Sequence, residues 1–235
     1  MAEQIRKTGC LICGKRLEYP KKPGRLTCYY CGKEETASAV CTGGHYVCDT
    51  CHRSGAMDII EHFCIRSTIP DPVRMANILM KHPGVTMHGP EHHFLIPAVL
   101  LSAFYNTRKE FSKKRQKIRY ARARANYVPG GFCGSHGSCG AAVGTGIFVS
   151  LVTGATPLSR KEWQLSNLMT SRSLVSIALH GGPRCCKRNT FLAIAEATCF
   201  ARENLDTGIR VPKKYLCEYH SLNRDCLKND CPNYR

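Results

Sequence analysis

Apolar positions are sparse in the first 55 residues and recur at helical spacing afterwards. Leu11, Ile12, Leu17, Leu26 and Val47 are too few large aliphatics to offset the ordering entropy of residues 1–55, so this stretch is expected to need metal in order to fold. From residue 56 the pattern predicts helices. Residues 56–68 read as a short amphipathic helix, and 73–82 as another that follows the Pro70-Asp71-Pro72 turn and is closed by Pro83-Gly84. Phe94 to about Arg124 reads as one long helix, apolar first and then basic, with Pro97 tolerated in its first turn and Val128-Pro129-Gly130-Gly131 ending it.

Residues 140–156 carry no charge, so a membrane span has to be weighed. Four glycines, three threonines and the short length favour a buried core helix instead. Ser159 followed by Glu162 has the form of a capping box opening a helix to about Leu179, which His180-Gly181-Gly182-Pro183 ends. The last long helix is expected over Asn189 to about Asn204, and 206–235 is a polar tail. The expected fold is mainly α: a module at 1–55, a helical core at 56–205 and a Cys/His tail at 206–235.

Sixteen cysteines in 235 residues change this picture. Met1 to Arg25 contains no apolar leader, which disfavours a secreted disulfide scaffold and leads us to expect a cytoplasmic protein with metal-bound thiolates. Lys and Arg number 34 against 17 acidic residues, a formal charge of +17 that bound thiolates would lower. Collagen, coiled coil and wholesale disorder are excluded by composition.

Cys10-x2-Cys13 and Cys28-x2-Cys31 have zinc-ribbon spacing, and Cys41-x3-His45-x2-Cys48-x2-Cys51 supplies four more donors. Eight donors imply two closed tetrahedral zinc sites of structural type. Sequential pairing puts Cys10, Cys13, Cys28 and Cys31 on one ion and Cys41, His45, Cys48 and Cys51 on the other. Interleaved pairing, as in a RING-type cross-brace, is equally compatible with the spacing.

Three glycine-rich turns carry further Cys and His residues, each before an apolar helix. They are 87–93 with His88, His92 and His93, 130–140 with Cys133, His136 and Cys139, and 180–189 with Arg184, Cys185, Cys186 and Arg188. Glycine lets backbone approach a ligand, and a helix N-terminus favours anions and thiolates. Cys133, Cys139, Cys185 and Cys186 suit an iron–sulfur cluster or a set of redox thiols.

These stretches resemble the α chain of iron–sulfur L-serine dehydratases and the related L-cysteine desulfidases. Ile96 to Leu100 matches that family's Ile-Pro-Ala-Val-Leu, and Gly131 to Gly137 is similar to its Gly-Cys-Gln-Gly-Glu turn with one residue inserted. Cys185-Cys186-Lys187-Arg188-Asn189 matches its Pro-Cys-x-x-Arg-Asn turn, and the likeness covers roughly 85–204. It implies a [4Fe–4S] cluster ligated by Cys133 and Cys185. The third ligand falls to Cys139 or Cys186, because the family's Cys-Asp-Pro turn is missing. It also implies an open iron acting as Lewis acid on a small amino acid or sulfur compound, giving β-elimination or sulfur transfer. The base would be His88, His92, His93 or His136, and Arg184 or Arg188 would hold the carboxylate. The chain as a whole resembles a prokaryotic domain family of unknown function, found also fused to methyltransferase or radical enzymes.

Cys217, His220, Cys226 and Cys231 suit a third zinc site in the tail, or thiolates that reach back to complete the core cluster; Cys231-Pro232 is an ending shared with ferredoxin-like ligand runs. Residues 108–124 hold nine Lys or Arg and one Glu, a solvated helix extension or a phosphate-binding face. A zinc-dependent adaptor for nucleic acid or protein is therefore the rival to an enzyme.

Overall fold

A computed structural model describes residues 10–13, 15–212 and 214–234, and leaves out the side chain of Arg53. Residues 1–9, part of the Met1–Arg25 stretch read for a leader, lie outside the described residues, as do positions 14, 213 and 235. The chain is mainly helical, with a small Cys-rich sheet region at its start.

Two antiparallel ribbons build that region. β1 (Leu17–Glu18) pairs with β4 (Val40–Cys41), and β2 (Gly24–Thr27) pairs with β3 (Glu34–Ala37). The five-residue α1 (Asp49–Arg53) follows. α2 (Ala56–Arg66) and α3 (Pro72–Met80) come next, close to the expected ranges. The Asp71 carboxylate caps α3 by accepting from Val73 N (2.8 Å) and Arg74 N (3.1 Å), while Pro72 sits where its missing N–H costs nothing.

The expected long helix is two. α4 (Glu91–Arg108) ends at Lys109, whose φ of 58° is left-handed, and α5 (Phe111–Ala125) leaves at a new angle. Glu110 pins the corner through Arg108 Nε (2.9 Å) and Lys113 Nζ (2.6 Å). The break lets Lys114 reach the Ser67 carbonyl (2.7 Å) and lets Ile118, Ala121 and Ala125 be buried. Neither Gly nor Pro marks it. Because α4 begins at Glu91, Pro97 lies in its interior rather than in its first turn.

α4 is buried nearly all round, as a helix without a polar face must be, and it touches α2, α3 and α5. The short α6 (Phe132–Ser135) precedes α7 (Gly140–Thr153), which is the uncharged segment and a core helix packed on α4. No helix among the described residues is long and apolar enough to cross a membrane. α8 (Lys161–Ala178) covers α7, and the capping box expected at Ser159 does not form. Ser159 Oγ is taken by Thr156, accepting from its N–H (2.8 Å) and donating to its carbonyl (2.8 Å). α9 (Cys186–Asn204) starts three residues before the expected Asn189, because Cys185 serves as its N-cap and accepts from Arg188 N.

The tail is docked rather than loose. Tyr219 is buried with its hydroxyl donating to the Asn77 carbonyl (3.1 Å), Tyr215 Oη donates to the Phe191 carbonyl (3.0 Å), and Lys81 pairs with Glu218 (2.9 Å).

Candidate metal centres and thiol cleft

The eight N-terminal donors fall into two groups that interleave along the chain. Cys10, Cys13, Cys41 and His45 form one, and Cys28, Cys31, Cys48 and Cys51 the other, with all donor atoms of a group within 4.8 Å of one another. The two ribbons cause this, since β1–β4 pairing carries Cys41 back to the first knuckle. Cys13 Sγ lies 3.4 Å from Cys41 Sγ, and Cys31 Sγ 3.7 Å from Cys48 Sγ. Sulfurs on one tetrahedral zinc, with Zn–S of about 2.3 Å, stand about 3.8 Å apart. Of the two pairings open from spacing, the structure brings together the interleaved one.

One donor in each group is drawn toward the thiolate. Burial opposes ionisation of Cys41, yet the Gly43 amide and the His45 side chain draw its pKa down to about 6. At Cys28 burial is outweighed by the amides of Cys31, Cys48 and Tyr30, and its pKa falls to about 7. Burial pushes Cys10 up to about 11 and Cys51 further, so metal binding at each group must expel protons. His45 Nδ1 is buried with no hydrogen-bond partner, which fits a ring nitrogen reserved for a metal.

The module is keyed to the helical core. Tyr30 is fully buried against Phe63 and His82, and Tyr29 stacks on Phe63. His82 Nδ1 accepts from Gly84 N (3.0 Å), so Nε2 carries the proton and donates to the carbonyl of the ligand-bearing Cys51 (2.9 Å).

Two of the three glycine-rich turns meet, and the third comes near through the Gly89 amide. A cleft opens between the 131–139 turn, the 181–189 turn and the Leu174 to Ala178 face of α8; Cys133, Cys139, Arg184, Arg188 and Asn189 line it. Cys139 is the N-cap of α7 and accepts from Asn189 Nδ2 (3.4 Å). Burial raises the Cys186 thiol, the Gly89 amide draws it back, and Cys139 lies close enough to raise it again.

Behind the cleft lies a second cavity. Cys185, Cys217, Cys226 and Cys231 line it together with His220. Counting all atom-free space up to the mouth, the cleft holds about 1210 Å³ and the inner cavity about 400 Å³. Arg188 borders both. It is 3% exposed, and its Nη2 donates to the Gly181 carbonyl (2.6 Å) while Nη1 is buried without a partner. Cys133 and Cys185, which the resemblance puts on one centre, thus border different cavities. The tail donors Cys217, His220, Cys226 and Cys231 border the same cavity as Cys185, so both arrangements read for them from the sequence stay open.

The four histidines named as bases border neither cavity. His92 is buried, and burial followed by the Lys187 charge holds it neutral; Nδ1 donates to the Gly89 carbonyl (3.1 Å) and Nε2 has no partner. His88 reaches Asn223 Oδ1 (3.3 Å), and His93 Nδ1 meets the Val128 carbonyl (3.0 Å) while its ring packs over Gly140. His136 is exposed and stacks on Phe132.

Several cations of the basic stretch make contacts within the molecule, while Arg108, Lys109, Lys113, Arg115, Arg119 and Arg124 stay exposed. Arg119 and Arg122 pair with Glu61, Arg122 also pairs with Asp58, and Lys117 and Arg124 bind the Leu151 carbonyl and Ser150 Oγ. This ties α5 to α2 and α7 and leaves a narrower cationic face than the composition suggests.

No curated protein and no solved structure matches this chain. A family model described as "Family of unknown function (DUF5714)" matches residues 60–234, from within α2 through the tail that carries Cys217, Cys226 and Cys231. With about three quarters of its length inside that match, the chain belongs to the DUF5714 family.

Proposed function

We propose that this chain is a zinc-stabilised, sulfur-handling protein of a reducing compartment, whose cleft takes a small anionic sulfur compound. The supporting observation is the meeting of Cys133, Cys139, Arg184, Arg188 and Asn189 at one open cleft walled by the apolar side of α8. Two zinc ions, one in each interleaved donor group, would be held by four protein ligands and have no open position, so their part is to fold the module. None of the sixteen cysteines is tied up in a disulfide, which leaves their sulfurs available to metal and to substrate.

The chemistry follows from the lining. Arg184, exposed at the cleft, pairs with the anionic end of the substrate, and its planar guanidinium suits an oxyanion. Cys139, at the positive end of a 14-residue helix and beside the Asn189 amide, is the nucleophile. With a thiosulfate-type donor, the Cys139 thiolate attacks the outer sulfur and a new S–S bond forms. The donor's own S–S bond breaks, and sulfite leaves with its electron pair. Sulfur transfer is favoured over β-elimination because no histidine borders the cleft to take an α-proton, among the residues lining it.

Incubating the full chain with thiosulfate and mapping persulfides by mass spectrometry tests this. The expected result is one added sulfur atom on Cys139, absent in Cys139→Ser and reduced about tenfold or more in Arg184→Ala, the loss of one charge-assisted contact. An unmodified Cys139, or modification indifferent to Arg184→Ala, would overturn it.

A further inference from the structure

The inner cavity carries chemistry that the cleft reading does not use. We propose that Cys185, Cys217, Cys226 and Cys231 together hold one iron–sulfur cluster that fastens the tail to the start of α9.

The first support is the way these sulfurs are held. Arg188 N donates to Cys185 Sγ (3.4 Å), Tyr219 N to Cys217 Sγ (3.3 Å) and Lys228 N to Cys226 Sγ (3.4 Å). The N-terminal donors show the same contact: Ile12 N to Cys10 Sγ (3.4 Å), Gly43 N to Cys41 Sγ (3.1 Å) and Cys51 N to Cys48 Sγ (3.4 Å). An amide two or three residues on from a cysteine stabilises sulfur that carries charge, and such bonds also tune cluster potentials. All four sulfurs border the same cavity.

Spacing then separates iron–sulfur from zinc. A single zinc draws its sulfurs to about 3.8 Å from one another. The two N-terminal groups close within 4.8 Å, whereas the four cysteines of the inner cavity do not form such a group among the described residues. They line one cavity between them, so their sulfurs stand around an open space instead of being drawn together onto one point. Tyr219, Tyr234, Leu227 and Met87 give the wall its apolar part, and Asn223, Asp225 and Asn233 stand beside them.

Arg188 supplies the remaining support. Its Nη1 is a buried, unpartnered donor on a side chain bordering this cavity, and such a group calls for an anion. Iron and sulfide held by four thiolates carry net negative charge. With every cluster position taken by protein sulfur, the site carries electrons or pins the tail and offers no open iron to a substrate.

His220 also borders the cavity, edge-on to Tyr234, and a tail-only zinc site of Cys217, His220, Cys226 and Cys231 makes opposite predictions. The full chain, isolated without oxygen, should contain iron and acid-labile sulfide in equal amounts beside about two zinc ions. Cys185→Ser and Cys226→Ser should each lose the iron and keep the zinc, and His220→Ala should keep both. Should a variant fail to fold, alkylation of wild-type protein decides: these four cysteines should resist reagent until the iron is chelated, while Cys133 and Cys139 react throughout. A third zinc with no iron, iron that survives Cys226→Ser, iron lost in Cys133→Ser, or four reactive cysteines in iron-loaded protein would each overturn the proposal. None of these results depends on whether thiosulfate reacts in the cleft.

Discussion

A methyl group added at Gly144 would stand 2.9 Å from Pro97 Cδ and 3.1 Å from the His93 carbonyl. Proline at 97 has no N–H to give that carbonyl, and α7 passes close beside this point of α4. Gly144→Ala should therefore cost about 1–3 kcal/mol, read as a lowered midpoint in denaturant. The His93 ring packs over Gly140 in the same way. Single residues with an unambiguous local role were legible in the sequence: Asp71-Pro72 opened α3, and the uncharged 140–156 stretch became a core helix. Lys109 was not, because a left-handed lysine leaves no trace in composition and is imposed by packing on either side of it. Ser159 was misread for a related reason, since Thr156 offers its hydroxyl a nearer partner than the helix does.

Among the elements, α5 shows how packing redirects charge. Its cations read as a surface for phosphates, yet Lys114 is buried and donates to the Ser67 carbonyl and to Asn106 Oδ1 (2.8 Å). Burial lowers its pKa to about 8, while the unfolded chain keeps the proton to about 10.4. Between these values the unfolded state binds more protons than the folded one, so stability rises with pH across that window by at most about 3 kcal/mol. Unfolding midpoints measured from pH 7 to pH 10 should show this rise in the wild type and lose it in Lys114→Met. A parallel rise in both proteins would assign the effect to another group. The positions of α2, α3 and α7 followed from apolar period and punctuation, whereas the turn from α4 into α5 depends on contacts with residues more than 30 positions away.

Across the whole molecule, soft donors gather in two places on a helical core: the interleaved module lies against α2 and the end of α3, and the thiol cleft and inner cavity lie at the start of α9. The types and numbers of the donors were plain from spacing. Their partners were not, because pairing is decided by which loops the ribbons and the docked tail bring together. For the module that pairing carries the largest structural consequence, since residues 10–51 hold few aliphatics and depend on cross-links between distant knuckles. Counting zinc per chain in two double variants tests it most directly. Cys13→Ser/Cys41→Ser strikes one donor group twice and should release about one zinc, and Cys13→Ser/Cys28→Ser strikes both groups and should release about two. The reverse order, two lost from the first variant and one from the second, would mean sequential pairing and would contradict the interleaved module.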